Sequence, residues 1–185
     1  LGDGLSPDDG IYILLKEIID NSVDEFIMGA GNQIVINLQG RRMRVRDYGR
    51  GIPLGKVIEC VSVINTGAKY NDDVFQFSVG LNGVGTKAVN ALSSEFRVVS
   101  YREGHAFEAK FVRGLRVDSR EFETREKTGT LVEFVPDEQI FGEYTFVFEF
   151  IEKRLWSYAC LNPGLKLSIN GKEFQTEKGL QDLLS

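Results

Sequence analysis

The sequence predicts an α+β fold: a two-layer α/β sandwich with helices on one face of a mostly antiparallel, mixed sheet. Its 185 residues, 42% hydrophobic and 26% charged, fit a single globular domain spanning 1–185. Several segments alternate apolar and polar residues about short turns, which is typical of β-hairpins. Other segments repeat apolar residues at helical spacing, which supplies the helical layer.

The first predicted element is a helix over residues 8–28. Asp8 or Asp9 can cap its start, and Gly29 and Gly31 close its end. Its apolar residues recur at helical spacing: Ile11, Leu15, Ile18, Ile19, Val23 and Phe26. Two strands then flank a Gln-Gly turn at 39–40, so we expect a hairpin after this helix.

The rest of the chain continues the same pattern. We predict a short helix over 54–64, a polar lid loop from Asn65 to about Phe77, and a helix at 86–93. A second hairpin turns at Glu103-Gly104, and "TGTLVEFVP" forms another strand. A helix around 145–160 and a strand pair near "LKLSINGKEF" complete the fold.

Composition narrows the function. The net charge of -5 excludes a surface that binds polyanions everywhere, so any DNA contact must be local. Cys60 and Cys160 lack the spacing of a zinc site or disulfide framework, which favours a reducing, cytoplasmic location. No apolar run approaches ~18 residues, so we expect no membrane partner. The single histidine, His105, offers little to a nucleophilic or metal-only enzyme.

An acidic stripe marks the first helix. At about 100° per residue, Glu17, Asp20, Asn21 and Asp24 lie together, and no lysine or arginine belongs to the stripe. Like charges at this spacing are unfavourable, and Asn21 is a poor helix former. A solvated face is the plain alternative; a site for a hydrated Mg²⁺ is the functional one.

The segment "DYGRGIP" follows the second strand. Alternation places Asp47 with Met43 and Val45, and it places arginines on the opposite face: Arg42, Arg44 and Arg46. An inward carboxylate needs partners, and Gly49 and Gly51 leave room for a flat ligand. Asp47 could equally bond its own turn. An exposed strand face explains the arginines at least as well as DNA binding does.

The segment "GLNGVGTK" places glycines before a helix start at Thr86. Such a turn can hold phosphates through backbone N–H groups and the helix dipole. The order matches neither a Walker loop nor the Rossmann spacing, and a structural turn is the plain alternative.

The motifs together are more specific than each alone. ExxxN on a helix, DxGxG after a strand, a glycine loop before a helix and "TGT" at 128–130 closely resemble the GHKL nucleotide-binding family. Type II topoisomerase ATPase domains, Hsp90, MutL and sensor histidine kinases share this fold. "EIIDNSVDE", "INTGAKYND" and "EKTGTLVEFVP" are most similar to the ATPase subunits of bacterial topoisomerase IV and DNA gyrase.

The resemblance implies ATP and Mg²⁺ as ligands and assigns residue roles. Glu17 is the implied general base, Asn21 the Mg²⁺ ligand, and Asp47 the adenine-reading carboxylate, assisted by water and Thr130. Lys69 matches a lid lysine near the phosphates. The phosphate loop comprises Gly80, Leu81, Asn82, Gly83, Val84, Gly85 and Thr86, with Asn82 where gyrases usually carry histidine. The adenine rim comprises Arg50, Gly51, Ile52 and Pro53. Glu25 and Arg102 match the nearby surface that competitive inhibitors use.

The resemblance also implies a role in a larger enzyme. ATP binding closes two such domains into a homodimeric gate during DNA strand passage, and the partner is a DNA-cleaving A-type subunit. The family's swapping N-terminal arm and its transducer domain are missing from this sequence, so we expect a monomer that binds ATP and hydrolyses it weakly. Two other possibilities are a nucleotide-gated dimerisation clamp and a kinase or MutL/Hsp90-like GHKL protein. A third possibility is a DNA-binding module that uses four arginines: Arg41, Arg42, Arg44 and Arg46.

Overall fold

The computed structural model describes residues 7–62 and 85–184. The strands of the described part form one sheet in the order β5-β4-β3-β6-β2-β1-β7-β8. The strands are β1 (Gln33–Gln39), β2 (Arg42–Asp47), β3 (Ser93–Arg102), β4 (His105–Val112), β5 (Leu115–Glu123), β6 (Gly129–Pro136), β7 (Lys166–Ile169) and β8 (Lys172–Phe174). The helices are α1 (Pro7–Ile27), α2 (Val57–Val61), α3 (Gly85–Ala91), α4 (Glu138–Phe141), α5 (Phe148–Leu161) and α6 (Leu180–Leu184).

The predicted α+β sandwich is confirmed. Every strand pair of the described sheet is antiparallel except β1 with β7, which makes the sheet mixed. Gly40 and Gly104 close the two predicted hairpins with positive φ of 61° and 83°, which glycine adopts without strain. No helix in residues 7–62 or 85–184 is long and apolar enough to cross a membrane.

The helices share one large core with one face of the sheet. Ile11, Leu15 and Ile18 of α1 are each at most 2% exposed and belong to the same cluster as Val98 and Phe134 of the sheet. Helix α5 joins this cluster through buried residues Ile151, Leu155 and Ala159. The apolar period of α1 therefore selects the face that packs on the sheet, and its acidic residues Glu17, Asp20 and Asp24 lie outside this core.

The opposite face of the sheet carries a smaller cluster and a row of charges. Val99, Tyr101, Ala106 and Leu131 form that cluster, with Phe122 packed against it. Beside it, buried Glu108 accepts hydrogen bonds from Arg97 at 2.6 Å and Arg120 at 3.0 Å.

The prediction of an exposed arginine row on β2 is wrong for one residue. Arg44 is exposed, but Arg46 is only 8% exposed because tyrosine rings cover its guanidinium. Arg41 pairs with Glu138, and Arg42 contacts Glu95 and Glu133. Three of the four arginines offered as a DNA contact therefore have partners inside the domain.

Candidate functional site

A cavity of about 420 Å³ lies between α1, α2 and the helix-covered face of the sheet. Helix α1 and the sheet supply its floor and one wall through Ile18, Asn21, Ser22, Asp24, Glu25, Val45, Asp47, Val98, Thr130 and Val132. The remaining wall consists of Arg50, Gly51, Ile52, Pro53, Cys60, Val61 and Thr86. A mostly apolar cavity of this size with a few converging polar groups is typical of a small-molecule site.

Asp47 is the buried acid of this cavity. It ends β2 opposite Thr130 of β6, and it is 7% exposed. Its Oδ1 accepts from the backbone N–H of Gly49 at 3.0 Å and of Thr130 at 3.2 Å, and its Oδ2 accepts from the Ser22 hydroxyl at 2.9 Å. A carboxylate offers about four acceptor positions, so these bonds leave one for a ligand.

Burial controls the ionisation of this acid. Desolvation raises the pKa of Asp47 above its usual range, and the three hydrogen bonds oppose that shift without cancelling it. The negative charge of Glu25 raises the pKa further. An ionised carboxylate held in such a place gains from any ligand that donates a hydrogen bond to it.

Ser22 is the polar contact that the sequence analysis missed. It is 5% exposed and lies one helical turn after Ile18, on the inward side of α1. A serine on an otherwise apolar helix stripe must find a partner, because an unpaired buried hydroxyl is costly. That position was the signal that could have identified it.

The glycine turn after β2 is shaped by contacts to α1 and β3. A Cβ on Gly49 would lie 2.7 Å from the Glu25 side chain, and Gly51 has a φ of +74° beside Arg102. The Arg50 guanidinium contacts Glu25 at 2.8 Å, and the Arg50 backbone N–H donates to the same carboxylate. Although burial alone would raise the pKa of Glu25, these Arg50 contacts hold it below its usual range.

At the other end of the cavity, α1 meets the start of α3. The Glu17 carboxylate occupies the space that a Cβ on Gly85 would need, so only glycine fits at this position. The amide nitrogen of Asn21 donates to the Thr86 hydroxyl at 2.6 Å. Burial raises the pKa of Glu17; Lys16 opposes this shift and Asp20 adds to it. A raised pKa makes a carboxylate a better proton acceptor near neutral pH.

The residues at this end fit a hydrated Mg²⁺. Because Thr86 engages the amide nitrogen of Asn21, the amide oxygen is the group left to act as a ligand. One protein oxygen suffices for Mg²⁺, which keeps most of its waters and binds phosphate oxygens. The described residues contain no cluster of three or more His, Cys, Asp or Glu side chains that could hold a metal alone.

The acidic stripe divides into two parts. Asp20 turns away from the cavity: it pairs with Lys16 at 2.6 Å and accepts from the Tyr158 hydroxyl at 2.7 Å. The prediction that the stripe has no positive partner is therefore wrong for Asp20, because Lys16 reaches it one turn away. Asp24 does line the cavity, and burial raises its pKa, with Asp20 and Glu25 adding to the effect.

The structure brings together most of the predicted site residues that it describes. The cavity is lined by Asn21, Glu25, Asp47, Arg50, Gly51, Ile52, Pro53, Thr86 and Thr130. Glu17, Gly85 and Arg102 adjoin it through the contacts given above. The remaining predictions lie outside the described residues: Lys69, Gly80, Leu81, Asn82, Gly83, Val84 and the lid loop.

Comparison with known proteins gives concordant results. The family of histidine kinase-, DNA gyrase B-, and HSP90-like ATPases matches residues 7–140. The chain is 62% identical over its whole length to the B subunit of DNA topoisomerase 4 from Borreliella burgdorferi, covering 31% of that protein. It is 37% identical to the B subunit of DNA gyrase from Streptococcus pyogenes serotype M3, over 95% of this chain and 29% of that protein.

A solved structure agrees. The 43K ATPase domain of Thermus thermophilus gyrase B, in complex with an aminocoumarin, superimposes with a TM-score of 0.77 at 34% identity. The match covers 95% of this chain and 49% of that one. The chain thus spans about a third of the length of the full-length relatives that it matches.

Proposed function

Because this chain belongs to the family of histidine kinase-, DNA gyrase B- and HSP90-like ATPases, we propose that its cavity binds ATP and that its residues hydrolyse it. The observation that carries this proposal is the buried Asp47 carboxylate, with an acceptor position left beside a turn that contains Gly49 and Gly51. Adenine presents an amino donor, whereas guanine presents an oxygen at the corresponding position. A buried carboxylate therefore selects adenine and rejects guanine.

Hydrolysis is assigned to the other end of the cavity. Glu17 accepts a proton from the water that attacks the γ-phosphate, and its raised pKa suits that role. Asn21 would hold Mg²⁺ through its amide oxygen, because Thr86 engages the amide nitrogen. Mg²⁺ supplies neutralisation of phosphate charge when bound. Gly80 to Thr86 bind the phosphates, and Lys69 neutralises them.

The rim is assigned to inhibitor binding. Glu25, Arg50 and Arg102 lie around the turn that ends at Pro53, at the mouth of the cavity. The similar Thermus thermophilus domain is solved with an aminocoumarin, and we propose that this rim binds the same class of compound.

The matched relatives support a proposal for the larger role. We propose that this domain is the ATPase of the B subunit in a cytoplasmic type II topoisomerase. ATP binding closes two copies into a gate, and one DNA duplex then passes through a second duplex that an A-type subunit cleaves. The 62% identity to a topoisomerase IV relative favours that enzyme over gyrase.

Calorimetric titration tests the proposal. The chain is titrated with a non-hydrolysable ATP analogue and with the GTP equivalent, each with and without Mg²⁺. We expect binding that prefers adenine and that Asp47→Asn abolishes. Preference for neither base, or equal binding by the variant, would contradict the assignment of Asp47.

A matched control is a second buried aspartate. Asp137 is 2% exposed, caps α4 through the Gln139 N–H at 2.9 Å and lies outside the cavity lining. Asp137→Asn should lower thermal stability and leave adenine preference intact, which separates loss of recognition from loss of folding.

A further inference from the structure

Arg46 is a buried cation behind the proposed adenine-reading carboxylate. Its guanidinium carbon lies 4.3 Å from the Tyr48 ring centroid and 4.6 Å from that of Tyr101. Its acidic neighbour Glu126 is 3.8 Å away and 59% exposed, which makes a loose ion pair. Burying a charge is costly, so the contacts that Arg46 makes must repay that cost.

Those contacts are hydrogen bonds to two backbone segments. One guanidinium nitrogen donates to the backbone carbonyl of Asp47, and the other donates to the carbonyl of Lys127 at 2.5 Å. Lys127 belongs to the turn that leads into Thr130, whose N–H donates to the Asp47 carboxylate at 3.2 Å. Arg46 thus holds both the carboxylate's own main chain and the segment that hydrogen-bonds to it.

The backbone packs closely around these hydrogen bonds at Gly129. Gly129 pairs with Tyr101 in the sheet and has a φ of +150°. A Cβ on Gly129 would collide with the Asp47 carbonyl and the Arg46 guanidinium. The turn can therefore approach β2 only because glycine occupies this position.

We propose that Arg46, held between Tyr48 and Tyr101, is a positioning residue that sets adenine specificity from the far face of the sheet. It rests on the proposed function of Asp47, and it adds a residue that does not line the cavity. Alternation on β2 directs the Asp47 carboxylate to the ligand and the Arg46 side chain to the opposite face. The guanidinium fork fixes where the carboxylate and the Thr130 N–H lie, because it bonds two carbonyls at once.

The test uses two variants and a control on the same strand face. Arg46→Met keeps an unbranched apolar stem beside the rings but removes the charge and every donor. Arg46→Lys keeps the charge, yet a single ammonium cannot reproduce the planar fork between two rings. Arg42→Met removes an arginine that contacts Glu95 and Glu133, away from the cavity.

Two readouts are measured on folded protein. The first is the ratio of dissociation constants for the GTP and ATP analogues; the second is hydrogen exchange of the Thr130 amide without nucleotide. We expect both Arg46 variants to bind the ATP analogue roughly tenfold or more weakly and to show a smaller ratio of the two dissociation constants. A change of this size is what the loss of one well-aligned charge-assisted hydrogen bond produces. Thr130 exchange should accelerate in both. Arg42→Met should leave both readouts unchanged.

The outcomes are separable. A folded Arg46→Met protein with an unchanged ratio and unchanged Thr130 exchange overturns the inference. If that variant fails to fold, Arg46→Lys provides the test. Wild-type values of both readouts in Arg46→Lys would refute the need for hydrogen bonds to two carbonyls. If the unaltered chain binds neither analogue, the proposed function fails, while Thr130 exchange still tests whether Arg46 positions this segment.

Discussion

Asp47→Asn should stabilise the protein while removing adenine recognition. Burial raises the pKa of Asp47, so the fold favours the neutral side chain over the ionised one. Asparagine is the permanently neutral equivalent. Its oxygen still accepts from Gly49 and Thr130, and its NH₂ group can donate to Ser22, whose hydroxyl then acts as acceptor.

The magnitude follows from two opposing contributions. Three hydrogen bonds to a charged oxygen become neutral ones, which costs about 1 kcal/mol each. Removing a charge from a site that is 7% exposed recovers several kcal/mol of desolvation. The raised pKa of Asp47 shows that burial outweighs the hydrogen bonds, so the net change favours the variant. Replacing a buried charge by a neutral group that keeps its hydrogen bonds typically gains on the order of 1 kcal/mol. For a domain of this size that raises the melting temperature by about 2–4 °C.

Thermal unfolding across a pH series checks this prediction. The folded pKa is raised, so ionising Asp47 costs stability as the pH rises from its ordinary value of 3.8 through the folded pKa. The advantage of Asp47→Asn should therefore be full at neutral pH and fade as the pH falls toward 3.8. A variant that melts below the unaltered protein at neutral pH, or a gain independent of pH, would refute the reasoning.

Three further predictions concern single side chains. Glu17→Gln should bind the ATP analogue normally and lose about 10²- to 10⁴-fold in turnover, while Asp20→Asn, on the same helix but facing away, should keep both; steady-state kinetics and calorimetry decide. Ser22→Ala removes a hydroxyl donor from Asp47 and should weaken the ATP analogue by about 3- to 10-fold in the same titration; unchanged affinity would show that the hydroxyl is dispensable. Glu108→Gln removes the carboxylate that Arg97 and Arg120 share. It should lower the free energy of unfolding, measured with denaturant at neutral pH, by about 1–3 kcal/mol. Burial opposes but does not cancel the arginine contacts that lower the pKa of Glu108, so this difference should disappear as the pH falls from 4.5 through the folded pKa; a difference that persists in acid would contradict the ion-pair explanation.

Elements with a strong apolar period were predictable from the sequence. The predicted first helix over 8–28 and the two hairpins match α1, β1–β2 and β3–β4 within a few residues. Strand β5 was not predicted, because an edge strand exposed on both faces shows no apolar alternation: eight of its nine residues are exposed. Periodicity in a sequence reflects which side chains are buried, and β5 has almost no buried side chains.

The site was predictable where one residue determines the chemistry. Asp47 shares a strand face with Met43 and Val45, and that alternation alone places it inside. One of its hydrogen-bond partners, the Gly49 N–H, is local and belongs to the turn contact that the sequence left open. The other two come from α1, 25 residues earlier, and from β6, 83 residues later, and no local pattern encodes them. The sequence grouped Asp20 with the site for a related reason. Its partner Tyr158 is 138 residues further along the chain, so the helical pattern could not show that Asp20 bonds outside the cavity.

Arg46 shows how far alternation alone can be trusted. Arg44 and Arg46 occupy equivalent positions of one strand face, yet one is exposed and the other is 8% exposed. The difference arises from two tyrosine rings that cover Arg46. Tyr48 lies just beyond the end of β2, and Tyr101 lies on β3, which is separated from β2 in the sheet by β6. A strand pattern fixes which face a side chain takes, whereas neighbouring strands fix what covers that face. A cation on the far face can therefore act on the ligand side of the same strand, because the two faces share one backbone, and Arg46 bonds to the backbone carbonyl of Asp47 itself.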